Sequence, residues 1–367
     1  MDMDHVVPAQ MRVLVTGGGG YIGSHTVRAL QNAGHDPIVL DNLVHGHRDL
    51  VEQVLQAPLV VAQLGDRQRL QTILTQQHVE AVLHFAAYAT VGESVVDPAS
   101  YYRNNLGDTM VLLEAMVQEA RRRNTPPMPL VFSSTCATYG HPERMPITED
   151  CPQQPISPYG RSKWMVEMLI GDFAAAYGLP AVIFRYFNAA GADPAGDLGE
   201  DHTPESHLIP RVLHTMGGKR PGPLTIYGDD YPTPDGTCLR DYIHVTDLAE
   251  AHVLGLEAIR RQASDQRPAV RIYNLGTGQG HSVREVIGAA AAVTGCPLPV
   301  SAAPRRAGDP PVLVAAADKA RRELGWSPRL SQLATMVRHA WIWHQRRHGC
   351  RATGCPVTGP TPEPKTS

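Results

Sequence analysis

Met11-Arg12-Val13-Leu14-Val15-Thr16, a run rich in β-branched and aliphatic residues, leads without a break into Gly17-Gly18-Gly19-Gly20-Tyr21-Ile22-Gly23. No other stretch restricts the folding choices of the chain as strongly. Gly17, Gly20 and Gly23 keep a GxxGxxG spacing. Between a strand and a helix, one glycine permits a tight turn, one lets backbone approach a pyrophosphate, and one lets helix and strand pack closely. The helical pattern that follows ends near Gly34, and its N-terminus would face the anion. This context predicts a dinucleotide-binding βα unit.

Alternation of strand and helix continues from there. Pro37-Ile38-Val39-Leu40 ends at Asp41-Asn42, with Asp41 eighteen residues beyond Gly23. An acid at that place can hold a ribose 2′-hydroxyl and would repel a 2′-phosphate, which favours NAD over NADP. A plain turn role for Asp41 is the alternative. Leu59-Val60-Val61 is a strand candidate followed by Gly65-Asp66, and Arg67 to Gln77 can be helical. Ala81 to Ala87 reads as a buried strand entering a loop of small residues. Ala86 and Ala87 suit close approach of a flat cofactor or ordinary packing equally. Tyr101 to Ala120 predicts one long helix, with Asn104 its polar candidate for a cleft.

Pro129 to Thr135 is the next strand, and it ends in the hydroxyls of Ser133, Ser134 and Thr135. Ligands of open α/β sheets lie outside the carboxyl ends of the strands, so Thr135 is a candidate partner for a substrate oxygen; the alternative is a cap on the following turn. Then comes Ser157-Pro158-Tyr159-Gly160-Arg161-Ser162-Lys163. Pro158 suits a first helical position, and the Tyr159/Lys163 spacing is about one turn, so both side chains share a face. A free phenol is a poor base at neutral pH, and a nearby ammonium favours the phenolate. That helix runs to about Tyr177, and Ala181 to Tyr186 is the following strand. The expected fold class is α/β, a Rossmann-type doubly wound parallel sheet with a smaller, discontinuous α/β lobe.

Beyond Phe187 the pattern changes. Residues 188–207 are rich in Gly, Asp, Pro and Ala, and residues 221–240 read as loop. Residues 241–245 and 272–275 read as short strands, 246–262 and 331–348 as helices. The expected organisation is an N-terminal extension over 1–10 and a cofactor domain over 11–187. A substrate lobe over most of 188–348 follows, with about 241–275 returning to the first domain, and a disordered tail covers 349–367. His344 and His348 have metal-like spacing without a carboxylate motif, so a solvated helix face is expected and no metal is assigned. Lys plus Arg is 33 against 36 Asp plus Glu, a net charge of −3, which gives no electrostatic surface for nucleic acid. No apolar run reaches membrane-spanning length, and the acidic start lacks the apolar segment of a secretory signal. Six scattered cysteines without a CxxC pair fit a reduced cytoplasmic protein, with Cys350 and Cys355 in the tail.

With these residues assembled, the chain resembles the extended short-chain dehydrogenase/reductases and, among them, the UDP-glucose 4-epimerases. The general motifs VTGGGGYIGSH, FSSTCATYG and SPYGRSKWMVE carry the first likeness. The second rests on RYFNAAGADPAGDLGEDH, IYGDDYPTPDGTCLRDYIHV, YNLGTG and PRRAGDPP. The likeness runs from Met11 to about His344. It implies NAD contacts from Gly17, Gly20, Tyr21, Ile22, Gly23, Asp41, Asn42, Asp66, Arg67, Phe85, Ala86, Ala87, Asn104, Ser133, Tyr159, Lys163 and Tyr186. It implies a UDP-sugar set of Thr135, Tyr159, Asn188, His207, Leu208, Thr225, Tyr227, Arg240, Arg306, Asp309 and Leu313. Two arginines can clamp a diphosphate, and Tyr227 offers a face to a base.

The implied reaction is reversible inversion at carbon 4 of UDP-galactose and UDP-glucose, a step of galactose metabolism. Tyr159 would be the base, Thr135 its helper and Lys163 its tuner; a homodimer through the 101–120 and 159–177 helices is implied as well. Four positions depart from the family pattern. Thr135 replaces a frequent serine and keeps the hydroxyl. Ala89 stands where some members have lysine, and His207 where some have asparagine. Leu313 occupies the place that limits the sugar pocket, intermediate between a bulky tyrosine and a small residue. Another NAD-dependent nucleotide-sugar epimerase or a dehydratase on the same fold, or a dinucleotide sensor without catalysis, are the competing readings.

Overall fold

The computed structural model describes residues 10–261, 270–306 and 309–350. Thirteen strands occur among them. In chain order these are β1 (Arg12–Thr16), β2 (Asp36–Asp41), β3 (Leu59–Val61), β4 (Ala81–His84), β5 (Leu130–Thr135), β6 (Ala181–Tyr186) and β7 (Asn188–Ala190). The rest are β8 (Leu224–Tyr227), β9 (Leu239–His244), β10 (Val270–Leu275), β11 (Gly280–Ser282), β12 (Val300–Ala303) and β13 (Val312–Leu313).

Seven strands form one parallel sheet in the order β10-β6-β5-β4-β1-β2-β3. Its strands are short aliphatic runs because both faces are covered. Along β1, Val13 and Val15 face one core and Leu14 the other. The first core is closed by the helices Tyr21–Asn32 and Val245–Arg261, through Val27, Leu30, Leu248 and Leu256. The second is closed by Arg67–Gln76, Asp108–Arg123 and Pro158–Tyr177, through Leu70, Leu112 and Val166. Chain order reverses between β1 and β4, and at that switch point the carboxyl ends of the strands leave a crevice.

The smaller half is built around β9. Residues Leu239 to Asp241 pair with β11, Leu239 and Arg240 also with β13, and Tyr242 to His244 with β7. β8 and β12 form a separate parallel pair. Helices Leu208–Met216, Val283–Thr294 and Leu333–His348 supply its core through Ile209, Leu213, Val286, Val337 and Trp341. β10 meanwhile returns to the edge of the large sheet beside β6.

Several expectations need correction. Residues 221–240 are not all loop, since β8 and the start of β9 fall there; short strands between glycines and prolines carry little periodicity. The expected single helix from Tyr101 is interrupted: Pro98–Tyr101 is helical, Tyr102–Gly107 makes a wider π-type turn, and Asp108–Arg123 is a regular helix. Such a turn re-aims side chains. Here Asn105 accepts from Tyr88 N at 2.8 Å and donates to Tyr88 O and Ser162 Oγ, each at 3.0 Å.

The solvated face expected at His344 and His348 is wrong at both: His344 is 1% exposed and shares a 3.1 Å hydrogen bond with His214 Nε2, and the His348 side chain is 12% exposed with Nε2 3.3 Å from Asp201 Oδ1. Cys350 is buried in the third core and does not belong to a loose tail. Residues 1–9 and 351–367, including Cys355, lie outside the described residues. The expectation of a reduced chain fails at Cys296, which is disulfide-bonded. Cys136, Cys151, Cys238 and Cys350 are free thiols.

Candidate active site

A cleft of about 710 Å³ opens along the switch point and between the two halves. Its floor is the glycine turn after β1. Gly17 sits at φ +73°, and a Cβ there would come within 2.6 Å of Ala86 N; at Gly23 a Cβ would come within 2.1 Å of Gly17 O. Only glycine fits either place without moving backbone. The helix Tyr21–Asn32 begins at Gly20 with no side-chain cap and no acid in its first turn. Its first N–H groups are thus presented to an anion. Asp41 ends β2 with one oxygen taking Gly19 N at 2.9 Å and the other taking Leu43 N at 2.8 Å. These bonds fix its carboxylate at the cleft wall with lone pairs to spare for ribose hydroxyls. Glycine cradle, uncapped helix and oriented acid together fit NAD.

The chemical group lies at the ends of β5 and β6. Ser157 caps the helix Pro158–Tyr177 by accepting from Gly160 N at 3.1 Å, and Gly178 in the left-handed region ends it. Tyr159, Lys163 and Glu167 follow one another at four-residue steps on its buried side; they are 7%, 4% and 6% exposed. Thr135 Oγ1 accepts from Ala137 N at 3.1 Å, so it does cap the next turn. The same hydroxyl also favours the ionised form of the Tyr159 phenol. The cap reading of Thr135 therefore holds, and it leaves the hydroxyl in the cleft beside Tyr159.

Burial raises the Tyr159 pKa, Tyr186 adds to that, and the Thr135 hydroxyl opposes it. Lys163 is not among the largest influences on the phenol in the protein alone. The Lys163 ammonium donates to Ser133 O at 2.8 Å and lies 4.8 Å from the centre of the Phe132 ring. Burial lowers the Lys163 pKa to about 7, and Glu167 works against that shift. Glu167 is itself locked to Arg185 at 2.6 Å, in a pair whose side chains are 4% and 3% exposed. Ser133 Oγ and Tyr186 OH are 2.7 Å apart. Cys136, next to Thr135, has its thiol pushed up to about 12 by burial, so it is no acid or base for this group.

Most expected cofactor residues line the cleft: Gly17, Gly20, Tyr21, Ile22, Gly23, Asp41, Asn42, Phe85, Ala86, Ala87, Asn104, Ser133, Tyr159, Lys163 and Tyr186. Asp66 and Arg67 do not. Asp66 caps the helix Arg67–Gln76 by accepting from Arg69 N at 2.9 Å, and Arg67 pairs with Glu114. Of the expected nucleotide-sugar residues, Thr135, Asn188, His207, Leu208 and Leu313 line the cleft. Thr225, Tyr227, Arg240, Arg306 and Asp309 stand outside its wall: Thr225 accepts from Ser301 Oγ at 3.4 Å, Arg240 pairs with Asp309, and the Arg306 guanidinium lies 4.2 Å from the centre of the Tyr227 ring. Charges this close satisfy each other when nothing else does.

Sequence reading missed Glu200, His202, Tyr88, Glu93 and Tyr242, all in the cleft wall. Glu200 and His202 belong to the charged run Glu200-Asp201-His202, whose signal was swamped by the glycine and proline around it. Glu93 is fixed by the Tyr101 hydroxyl at 2.9 Å, a contact without any sequence spacing to mark it.

Comparison with known proteins supplies independent findings. The model of the NAD dependent epimerase/dehydratase family matches residues 13–276. The UDP-glucose 4-epimerase of Halalkalibacterium halodurans is 48% identical over 340 residues, covering 92% of this chain and 97% of that protein. That of Streptomyces lividans is 49% identical over 334 residues, covering 91% and 96%. Among solved structures, the Brucella ovis UDP-glucose 4-epimerase in complex with NAD gives a TM-score of 0.83 at 48% identity, covering 90% of this chain and 97% of that one. The Bifidobacterium longum UDP-glucose 4-epimerase in complex with NAD+ and UDP gives 0.82 at 38% identity, covering 91% and 98%.

Proposed function

Since this chain belongs to the NAD dependent epimerase/dehydratase family, we propose that it interconverts UDP-galactose and UDP-glucose by inverting carbon 4 of the hexose, with NAD as tightly held cofactor. The observation that carries the reading is the meeting of Thr135, Tyr159 and Lys163 in one cleft with the glycine turn after β1. A dinucleotide sensor would have no use for that group. A dehydratase needs an acid/base pair beside the tyrosine, and the neighbours of Thr135 are a thiol held protonated and an alanine.

Gly17 to Gly23 and Asp41 would hold the pyrophosphate and the adenosine ribose, and Lys163 the nicotinamide ribose. When bound, NAD supplies the hydride acceptor and donor for carbon 4, together with a positive ring charge that opposes the cost of a buried phenolate. Tyr159 Oη takes the proton of the 4-hydroxyl and later returns it, and Thr135 Oγ1 orients both transfers. The 4-keto hexose turns about its link to the UDP, which Asn188, Leu208 and the Arg240, Arg306 and Asp309 group would anchor. Residues 11–187 then serve mainly the cofactor, residues 188–348 mainly the nucleotide sugar, and 241–275 partly both.

Purified protein given UDP-galactose and no added NAD should yield UDP-glucose. No product from protein shown to contain NAD would overturn the reading. The chain is further proposed to act in the cytoplasm as a homodimer. Met110 and Met168, 44% and 45% exposed on the helices expected at the interface, support pairing, and sedimentation at micromolar concentration tests it. No helix among the described residues is long and apolar enough to cross a membrane.

A further inference from the structure

The segment Glu200–His207, on the cleft wall opposite the glycine turn, concentrates side chains that the proton chemistry does not use. Glu200, His202, Glu205 and His207 each offer one ligand atom, and these atoms lie within 4.8 Å of one another. His202 Nδ1 is 3.1 Å from Glu200 Oε1 and 3.8 Å from Glu205 Oε2. His207 Nδ1 contacts the same Glu200 oxygen. Four ligands around a tetrahedral zinc ion are separated by about 3.3 Å, and the two distances given fall on either side of that.

A second observation points to a ligand. The backbone N–H of His207 donates to Glu205 Oε1 at 2.8 Å, which fixes the carboxylate. The other oxygen, Oε2, is buried with no hydrogen-bond partner among the described residues, on a side chain 7% exposed. It faces the Glu200 carboxylate, itself 4% exposed. Both imidazoles turn to Glu200, so Glu205 Oε2 is left with His202 Nδ1 at 3.8 Å, too far for a hydrogen bond, and a buried anionic oxygen without a donor is costly. Imidazole nitrogens beside carboxylates select zinc-class ions over magnesium or calcium, which prefer oxygen alone.

We propose that Glu200, His202, Glu205 and His207 bind one divalent transition-metal ion of the zinc class. The ion sits where the two Nδ1 atoms now face Glu200 and joins the Glu200 and Glu205 carboxylates through one centre. It thereby clasps the loop that leads into Leu208 and the helix Leu208–Met216, and so fixes one wall of the cleft. The group His214, His344 and His348 is a poorer host, because Lys219 Nζ lies 3.1 Å from His348 Nδ1 and an ammonium competes with a cation.

The test is a calorimetric titration of the chelator-treated, full-length protein with zinc chloride, paired with cobalt(II) chloride and its visible spectrum. At least one zinc equivalent per chain is expected, together with the intense visible bands of tetrahedral cobalt. Glu205→Gln keeps the shape and the bond to His207 N, and it should weaken zinc at least about tenfold. His202→Ala should weaken it further, and His344→Gln should leave the loop equivalent in place. If His202→Ala fails to fold, Glu205→Gln decides, with its melting curve as the check. No zinc uptake by the parent protein overturns the proposal. So does uptake that survives Glu205→Gln and His202→Ala unchanged while His344→Gln abolishes it.

Discussion

The wall assigned to the dinucleotide and the wall assigned to the nucleotide sugar are made of different materials. The first is backbone and small side chains: a glycine turn whose Cβ positions are filled by neighbouring backbone, an uncapped helix end, and Asp41 held by two main-chain N–H groups. The second is backed, just outside the cleft lining, by long charged side chains already engaged with one another: Arg240 with Asp309 and Arg306 over Tyr227. A wall of shape can hold a ligand without rearranging. A wall of paired charges has to exchange partners at every binding event, and that exchange limits net affinity. The difference matches a reaction in which the cofactor is regenerated each cycle and stays, while the UDP-sugar enters and leaves.

The sharpest way to break this contrast is at Gly23. A Cβ 2.1 Å from Gly17 O must push the turn open, so Gly23→Ala should purify with NAD content and turnover both reduced to background. Full NAD content would show that the cradle does not depend on its glycines. Tyr159→Phe comes next in size. With the phenol as the proposed proton carrier, turnover should fall about a thousandfold or more, while NAD should remain bound if shape and not the hydroxyl holds it. Absorbance of the released cofactor after denaturation separates the two outcomes; a variant that turns over at the parent rate would remove Tyr159 from its role.

The same contrast explains what could be read in advance. The cofactor wall is local in sequence: Gly17, Gly20 and Gly23 lie within one turn, and the Tyr159/Lys163 spacing puts both on one helix side. Strand-helix alternation up to Tyr186 fixed the large sheet for the same reason. The other wall joins residues from β7, the loop at 200–207, β9 and β13, and its strands are only two to six residues long, too short for a period. Resemblance supplied Arg240, Arg306 and Asp309, but neither it nor spacing could say that these groups neutralise one another. Nor could spacing reveal that burial would reverse the expected direction at Tyr159, because desolvation depends on everything packed around the phenol, including Tyr101 and Tyr186.

Arg240 tests the charged wall directly. Arg240→Ala removes a charge-assisted donor and leaves Asp309, 28% exposed on its side chain, without its partner. KM for UDP-galactose should rise about 10- to 100-fold, the range of a lost hydrogen bond to a charged group, with NAD content unchanged. Asp309→Asn frees Arg240 from its pair and should raise KM less. Loss of NAD from Arg240→Ala would mean that the two walls are one unit, and the comparison would collapse.

The smallest effect is expected where the two walls meet the sugar. Leu313 is half-buried in the cleft wall and pairs in register with Arg240 along β9 and β13. The family resemblance would put this uncharged side chain beside the hexose. Leu313→Tyr fills that space and should lower turnover of UDP-N-acetylgalactosamine relative to UDP-galactose, while Leu313→Gly should raise it, each by about tenfold, the scale set by a few methylenes in an apolar pocket. NAD content and the KM for UDP-galactose should barely move, because neither the glycine cradle nor the arginine pair is touched. Equal effects on both sugars would place Leu313 outside the sugar's reach and leave selectivity to the neighbouring His207 and Leu208.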